Sequence, residues 1–475
     1  MIGRRSALGG IATSMTALTA LNGEALAAAK SPAFKSPAIK LPPPQIGPRM
    51  NFAQAEKIMN QLGIDALVVG SGTNVYHALG LDLTTTRMGH APSVYAVVTR
   101  HAERRIALIA PAFLYYYTIA QDVRGQDIPT YVYTAPAKDG EQAEGIVALR
   151  GREQAVAGGA AEPSAVPLTL FKDRKEAPLD NIEVMRDQVV TATMKAQPPR
   201  ANAVFALRKA LKDLGVDKGR LAVDVESVKR EVAAAAPEAN ISDADDALRR
   251  IRPVKSPMEI TLMRYAAQAN MDAALEAVQV VRAGGDVRDL RAAYFGAVGK
   301  RGGRPVFMVI NRVSSPTFVD TFHDGQCFAI DCVSDYMGYH GDFARSVFVG
   351  EPARSMKGVT KAAAAAWDAI RANMKPGVRY SEIIAMGKTA LKGLGVDYGI
   401  SFTPHSVGLY HADNAGDTGL PPLGDVVLEP GMTMSVDCPL LEAGAGGSHH
   451  LEDLTLITET GSEQINAITH RTITV

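Results

Sequence analysis

Apolar positions along the chain follow two periods, and the switches between them mark out its elements. From Asn51 the pattern becomes globular: Phe52, Ala55, Ile58, Met59 and Leu62 fall on one helical face. A short apolar run from Ala66 to Val69 then predicts a buried strand. Val94 to Val98 and Ile106 to Ala110 predict two more strands, joined by the polar turn Arg100 to Arg105. The stretch Lys138 to Glu162, rich in Gly, Ala and Glu, reads as a loop or insertion. A helix from about Ala201 to Leu214 and a strand from Leu221 to Val225 close an alternating α/β region. This first region holds no Gly-rich phosphate loop and no cluster of acids or histidines. His77, His90 and His101 are scattered through it and read as structural or solvated. Its expected role is support and substrate gating.

A second region begins near Arg252. Ser256-Pro257-Met258-Glu259 supplies a capping serine, a proline at the first helical position and an acid in the first turn. The helix it opens should run to about Arg282 and stop at Gly284-Gly285; another should span Val287 to Lys300. Strands are expected at Val306 to Asn311, Phe328 to Val333 and Tyr339 to Val349. The order then recurs: helices from about Met356 to Met374 and Ser381 to Leu394, then strands near Phe402 to Tyr410, Met432 to Pro439 and Leu451 to Thr458. Two helix-helix-strand-strand halves in tandem imply internal pseudo-symmetry. A site between them would draw side chains from both.

The sharpest chemistry lies in Ala329 to Phe348, which reads as strand, tight turn at Met337-Gly338, and strand. It sets Asp331 and Asp342 on paired strands among apolar neighbours. Carboxylates withdrawn from water are costly unless paired or bound to a cation. Three later residues, His405, Asp437 and Glu452, would complete a cation site. Four carboxylates and one imidazole form a hard, oxygen-rich set suited to two divalent ions such as Mn2+, with Fe2+, Co2+ or Zn2+ also accommodated. Without the later residues, the other reading of the aspartate pair is a hairpin with solvated acids.

Composition narrows the partners. The 475 residues are 47% apolar and 21% charged, with a formal net charge of +0, the balance of a globular protein of two or three domains. No basic surplus points to nucleic acid or an anionic membrane. The 3 cysteines, Cys327, Cys332 and Cys438, form no C-x-x-C pair, which argues against a disulfide framework or a structural zinc site. Beyond the N-terminus no apolar run is long enough to span a membrane. At the N-terminus, Arg4-Arg5 precede a small-residue stretch with A-x-A sites near Ala25 to Ala29. Residues 1–29 therefore read as a twin-arginine export signal, with an ordinary secretory signal as the other reading. Either implies a periplasmic mature protein. Residues 30–49, with their K-S-P-A repeat and Pro42-Pro43-Pro44, read as an extended tether. The expected organisation is then an α+β chain: an α/β domain over 50–250 and a second domain, carrying the candidate cation site, over 251–475.

Several motifs carry a family resemblance. D-C-V-S-D-Y-M-G-Y-H-G-D-F-A-R-S, beginning at Asp331, resembles the D-x-G-x-x-x-x-G-Y-x-x-D-x-x-R-T signature of the pita-bread metallopeptidases, which include prolidase, Xaa-Pro aminopeptidase and the metal-free creatinase. Arg252 to Glu259, Pro404 to Leu409, Leu428 to Met432 and His450 to Asp453 are similar to further motifs of that family, in the same order. The resemblance implies a creatinase-like N-terminal domain and a pita-bread catalytic domain. It implies that Asp331 chelates one ion, that Asp342 and Glu452 bridge two, that His405 binds the other, and that Asp437 binds metal and relays a proton. It further implies an Xaa-Pro-type aminopeptidase or dipeptidase acting on short peptides, and a homodimer.

Departures from the pattern sit around the substrate. Asp437 stands where the family has glutamate, His450 where it has arginine, and Ala412 where a second histidine follows, with His411 one position earlier. Ser315-Pro316-Thr317 occupies the place of a substrate histidine, with His323 offset from it. His411 and His450 are the candidate substrate-contacting residues. His340 and His449 read as structural, and Cys332 and Cys438, each one residue past a proposed ligand, should point into the core. The same departures leave room for a non-peptidase of this fold, a C–N hydrolase or a lyase acting on a small zwitterion, or for a binding protein without catalysis.

Overall fold

A computed structural model describes residues 47–134, 161–165, 176–414, 423–466 and 470–475. The expected signal segment, nearly all of the tether and nearly all of the 138–162 insertion lie outside the described residues.

The first domain is built on a six-stranded mixed sheet in the order β4-β3-β2-β1-β5-β6. Its strands are β1 (Ala66–Val69), β2 (Tyr95–Thr99), β3 (Ile106–Pro111), β4 (Thr130–Tyr133), β5 (Arg220–Val223) and β6 (Asn240–Asp243). The central strands are apolar on both faces and buried throughout, as strands covered on two sides must be. Helix α1 (Phe52–Leu62) starts at an Asn51 cap and ends at Gly63 in the left-handed region, with Ala55, Ile58 and Met59 facing the core. The helix expected from Ala201 forms over Ala203–Asp213. The sequence pattern did not reveal the helix Asn181–Ala196, because its only fully buried residue is Val190 and its apolar residues form no stripe. Strand β6 was also missed, being largely exposed.

The second domain repeats one motif. Helix α2 (Pro257–Ala277) opens with the Ser256 capping box, and α3 (Val287–Lys300) follows. They cover a sheet formed by β7 (Arg304–Ile310), β8 (Cys327–Tyr336) and β9 (Tyr339–Phe348). Helices α4 (Arg354–Asn373) and α5 (Tyr380–Gly393) then precede a second sheet containing β10 (Thr403–Ser406) and β11 (Thr433–Asp437). Two observations depart from expectation. The strand expected from Leu451 to Thr458 divides at Leu454: β12 (Glu452–Asp453) pairs with β9 in the first sheet, while β13 (Thr455–Ile457) pairs with β11 in the second. Glu452 therefore sits where the chain crosses between sheets. The strand expected from Phe402 to Tyr410 ends at Ser406, because the Asp413 carboxylate accepts from the Leu409 and Tyr410 N–H groups and curls the chain into a turn.

The β8–β9 hairpin is the rigid centre. Met337 and Gly338 both take positive φ, 53° and 83°, the backbone of a two-residue type I′ turn. Helix α2 lies so close beneath β9 that a Cβ on Gly341 would stand 2.3 Å from the Ala266 carbonyl oxygen. Asn270 donates to the Cys332 carbonyl at 2.7 Å and accepts from Tyr294 and Ser334, a fully buried network under the strand that carries Asp331.

Candidate metal centre

Register explains how three carboxylates meet. Ala344 of β9 lies opposite Asp331 on one side and opposite Glu452 on the other. Residues directly opposite share a face of the sheet, so Asp331 and Glu452 rise on either side of a methyl group. Asp342 is two residues along β9, on the same face. The fully buried Ala344 is the small residue that leaves space between the acids. From the other sheet come His405 on β10 and Asp437 at the end of β11. The five expected ligand residues therefore converge between the two halves.

His405 Nε2 stands 3.3 Å from Glu452 Oε1, 3.6 Å from Asp437 Oδ1 and 3.8 Å from Asp342 Oδ2. The two candidate substrate residues also reach this cluster. His411 Nε2 is 3.1 Å from Asp342 Oδ2, and His450 Nε2 is 3.6 Å from Asp437 Oδ1 and 3.8 Å from Glu452 Oε2. His323 is exposed, and Thr317 is bonded to Ser315 rather than to the cluster. His449 is buried and shares a hydrogen bond of 2.7 Å with Ser346, while His340 Nδ1 lies 3.1 Å from the Gly408 carbonyl; both serve structure. Cys332 and Cys438 are packed in the two apolar cores, as expected.

The electrostatics of the cluster call for a cation. Burial, and then the neighbouring Glu452 and Asp437, raise Asp331 well above the carboxylate range. Burial pushes Asp342 up to about 8. Burial, and then Asp342 and Asp437, raise Glu452 as well. Burial would also raise Asp437, but the adjacent His405 outweighs it and holds this carboxyl at about 2. Burial lowers His450 to about 4, so it is neutral near pH 7, and burial followed by the His405 charge lowers His411. Both oxygens of Asp342, both of Glu452, Asp331 Oδ1 and His405 Nε2 are buried without a hydrogen-bond partner. Buried acceptors converging unpaired are rare unless something else satisfies them. Their donor types, carboxylate oxygen and imidazole nitrogen, are those of a divalent-ion site, so the residues present fit such ions. Among the described residues, three overlapping sets have donor atoms within 4.8 Å of one another: Asp331-Asp342-Glu452, His405-Asp437-Glu452 and Asp342-His405-His411.

Two supports escaped the sequence reading. Arg345, fully buried, donates to the Glu452 carbonyl at 2.8 Å and to Asp453 at 2.6 Å, and Arg471 holds the other Asp453 oxygen at 2.8 Å. This fixes the short strand that presents Glu452. Lys255 Nζ lies 2.5 Å from Asp413 Oδ2 with both side chains wholly buried, anchoring the turn that carries His411. Arg345 and Asp453 lie inside the motifs that begin at Asp331 and His450, so their charge was a visible signal. Nothing in the sequence joins Lys255 to a partner 158 positions away.

Residues 261–459 match the model of metallopeptidase family M24. The chain is 30% identical over 247 residues to the probable dipeptidase PepE of Mycobacterium tuberculosis, an alignment that covers 49% of this chain and spans 63% of that relative. It is 29% identical over 286 residues to the dimethylsulfoniopropionate lyase DddP of Roseobacter denitrificans, covering 55% of this chain and 63% of the lyase. The structure superposes on the prolidase of Pyrococcus horikoshii with a TM-score of 0.58 at 18% identity, over 89% of this chain and 99% of the prolidase. A likeness at that identity speaks to the fold.

Proposed function

We propose that this chain, whose residues 261–459 match the model of metallopeptidase family M24 and whose structure has the pita-bread fold, is a binuclear metal-dependent peptidase of that family, of the Xaa-Pro aminopeptidase or dipeptidase type. The observation that carries this reading is the set of six unpartnered, buried donor atoms converging from both halves of the domain. Asp331, Asp342, His405, Asp437 and Glu452 would hold two divalent ions, with Mn2+ as the first expectation and Zn2+, Co2+ or Fe2+ as the others. Bound there, such ions polarise a scissile carbonyl and lower the pKa of water.

The chain's own groups supply the rest. Asp437, kept ionised and partly open to solvent, is placed to take a proton from the attacking water and pass it to the leaving amine. His450, neutral and facing Asp437, can orient that carboxylate or a substrate group. His411 stands at the rim against Phe307, where it can meet the substrate. Arg4-Arg5 support export to the periplasm, and the family resemblance supports a homodimer.

A second reading rests on the departures around the substrate. His450 and Asp437 replace a longer arginine and glutamate, and DddP, a lyase by its name, is among the similar proteins. A C–N hydrolase or lyase acting on a small zwitterion would keep the cage and change what is held above it. The test is hydrolysis of an Xaa-Pro dipeptide and a proline-containing tripeptide by Mn2+-loaded protein, before and after chelation. Metal-dependent release of the N-terminal residue supports the peptidase. Bound metal without turnover of either peptide refutes it in favour of the second reading.

A further inference from the structure

The Asp342 carboxylate is approached by two imidazoles. His405 Nε2 stands 3.8 Å and His411 Nε2 3.1 Å from the same oxygen, Oδ2. At 3.1 Å an N–H aimed at a carboxylate would form a strong hydrogen bond. Yet neither oxygen of Asp342 has a hydrogen-bond partner, so the His411 ring is not turned to donate to it. Nor does His405 Nε2 have a partner. One ligand atom from each of Asp342, His405 and His411 lies within 4.8 Å of the other two. Metal–ligand bonds of about 2.0–2.2 Å at tetrahedral or octahedral angles set neighbouring donor atoms about 3–3.5 Å apart. The His411–Asp342 separation falls in that range, and the His405–Asp342 separation lies a few tenths of an ångström beyond it.

The local structure holds both rings in this pose. His405 Nδ1–H donates to the His411 carbonyl at 3.2 Å, which leaves Nε2 as the nitrogen facing the acids. The centroids of the two rings are 4.9 Å apart, and the Phe307 ring packs against His411 at 77° with centroids 5.4 Å apart. The turn between them is pinned by Asp413 and Lys255.

We propose that His411 is a direct ligand of the ion at the Asp342–His405 end of the cage. This rests on the metal-dependent reading above and goes beyond the five-ligand set. One end then offers two imidazole nitrogens, and the other, Asp331 with Glu452, offers oxygens alone. The nitrogen-rich end selects Zn2+, Co2+ or Fe2+ over Mn2+, while the oxygen end accepts the harder ion.

The test uses the full chain loaded with Co2+, whose paramagnetism shifts the proton resonances of coordinated imidazoles out of the ordinary spectrum. Two sets of shifted imidazole resonances are expected in the wild type and one in His411→Ala, with an unchanged circular dichroism spectrum. One of the two Co2+ affinities should fall in that variant by at least the roughly 10–100-fold that loss of an outer-shell partner causes. A single set in the wild type that persists in His411→Ala, with unchanged affinity, overturns the proposal and leaves the metal-dependent reading standing. No shifted imidazole at saturating Co2+ overturns both.

Discussion

Lys255→Met should cost the protein about 3 kcal/mol of stability. Lys255 and Asp413 are both 0% exposed in side chain, with Nζ and Oδ2 2.5 Å apart, so the variant leaves an uncompensated carboxylate in the interior. Breaking a buried pair by removing one partner costs about 3–5 kcal/mol. The lower end applies, because Asp413 keeps the Tyr410 N–H at 2.9 Å, the Leu409 N–H at 3.3 Å and the Arg252 guanidinium at 4.0 Å. In a unit of about 150–250 residues each kcal/mol moves the melting temperature by about 2–4 °C, so a fall of about 6–12 °C is expected by calorimetry on the full chain. Adding Asp413→Asn to Lys255→Met removes the stranded charge and should recover more than about 1 kcal/mol. The reasoning fails if the single variant lies within about 0.5 kcal/mol of wild type, or if the double variant is no more stable than the single.

Ala344→Leu places a branched side chain between Asp331 and Glu452, so metal content by mass spectrometry should collapse while a cost of about 1–3 kcal/mol leaves the protein folded; full metal content would refute the register argument. Gly338→Ala sets a Cβ at φ 83° and 2.6 Å from the Tyr76 ring, and should lose about 1–2 kcal/mol or more in urea denaturation; an unchanged midpoint would count against the turn assignment. Burial would raise Asp246, but hydrogen bonds from Arg249 and Arg250 outweigh it and lower its carboxyl. A lowered folded value stabilises above the unfolded value of about 3.9 and is lost as pH falls through the folded value. Asp246→Asn should therefore be less stable than wild type at pH 7 and converge with it under acid; a gap that widens toward low pH would contradict this.

The C-terminal half was legible because its elements obey local rules. The Ser256 cap and Pro257 placed helix α2, and Met337-Gly338 placed the hairpin. The five proposed ligands could be chosen from motif order before any geometry was known. What could not be read was set by long-range contact. The Leu454 crossing, which puts Glu452 beside Ala344, depends on which sheet each half-strand joins. The early end of β10 depends on Asp413, whose ionised state depends on Lys255. The helix Asn181–Ala196 had no apolar stripe to announce it. The orientation of His411, on which the two-imidazole end rests, is a property of a turn that the sequence pattern read as strand.

The two halves would form one cage for divalent ions, joined through Asp342. Metal content of purified full-length protein, reconstituted with Mn2+ and dialysed, compared between wild type and Asp342→Ala, tests it most directly. Stoichiometric metal is expected in the wild type and near-complete loss in the variant. Full occupancy in Asp342→Ala, or a wild type that retains no metal, would contradict it.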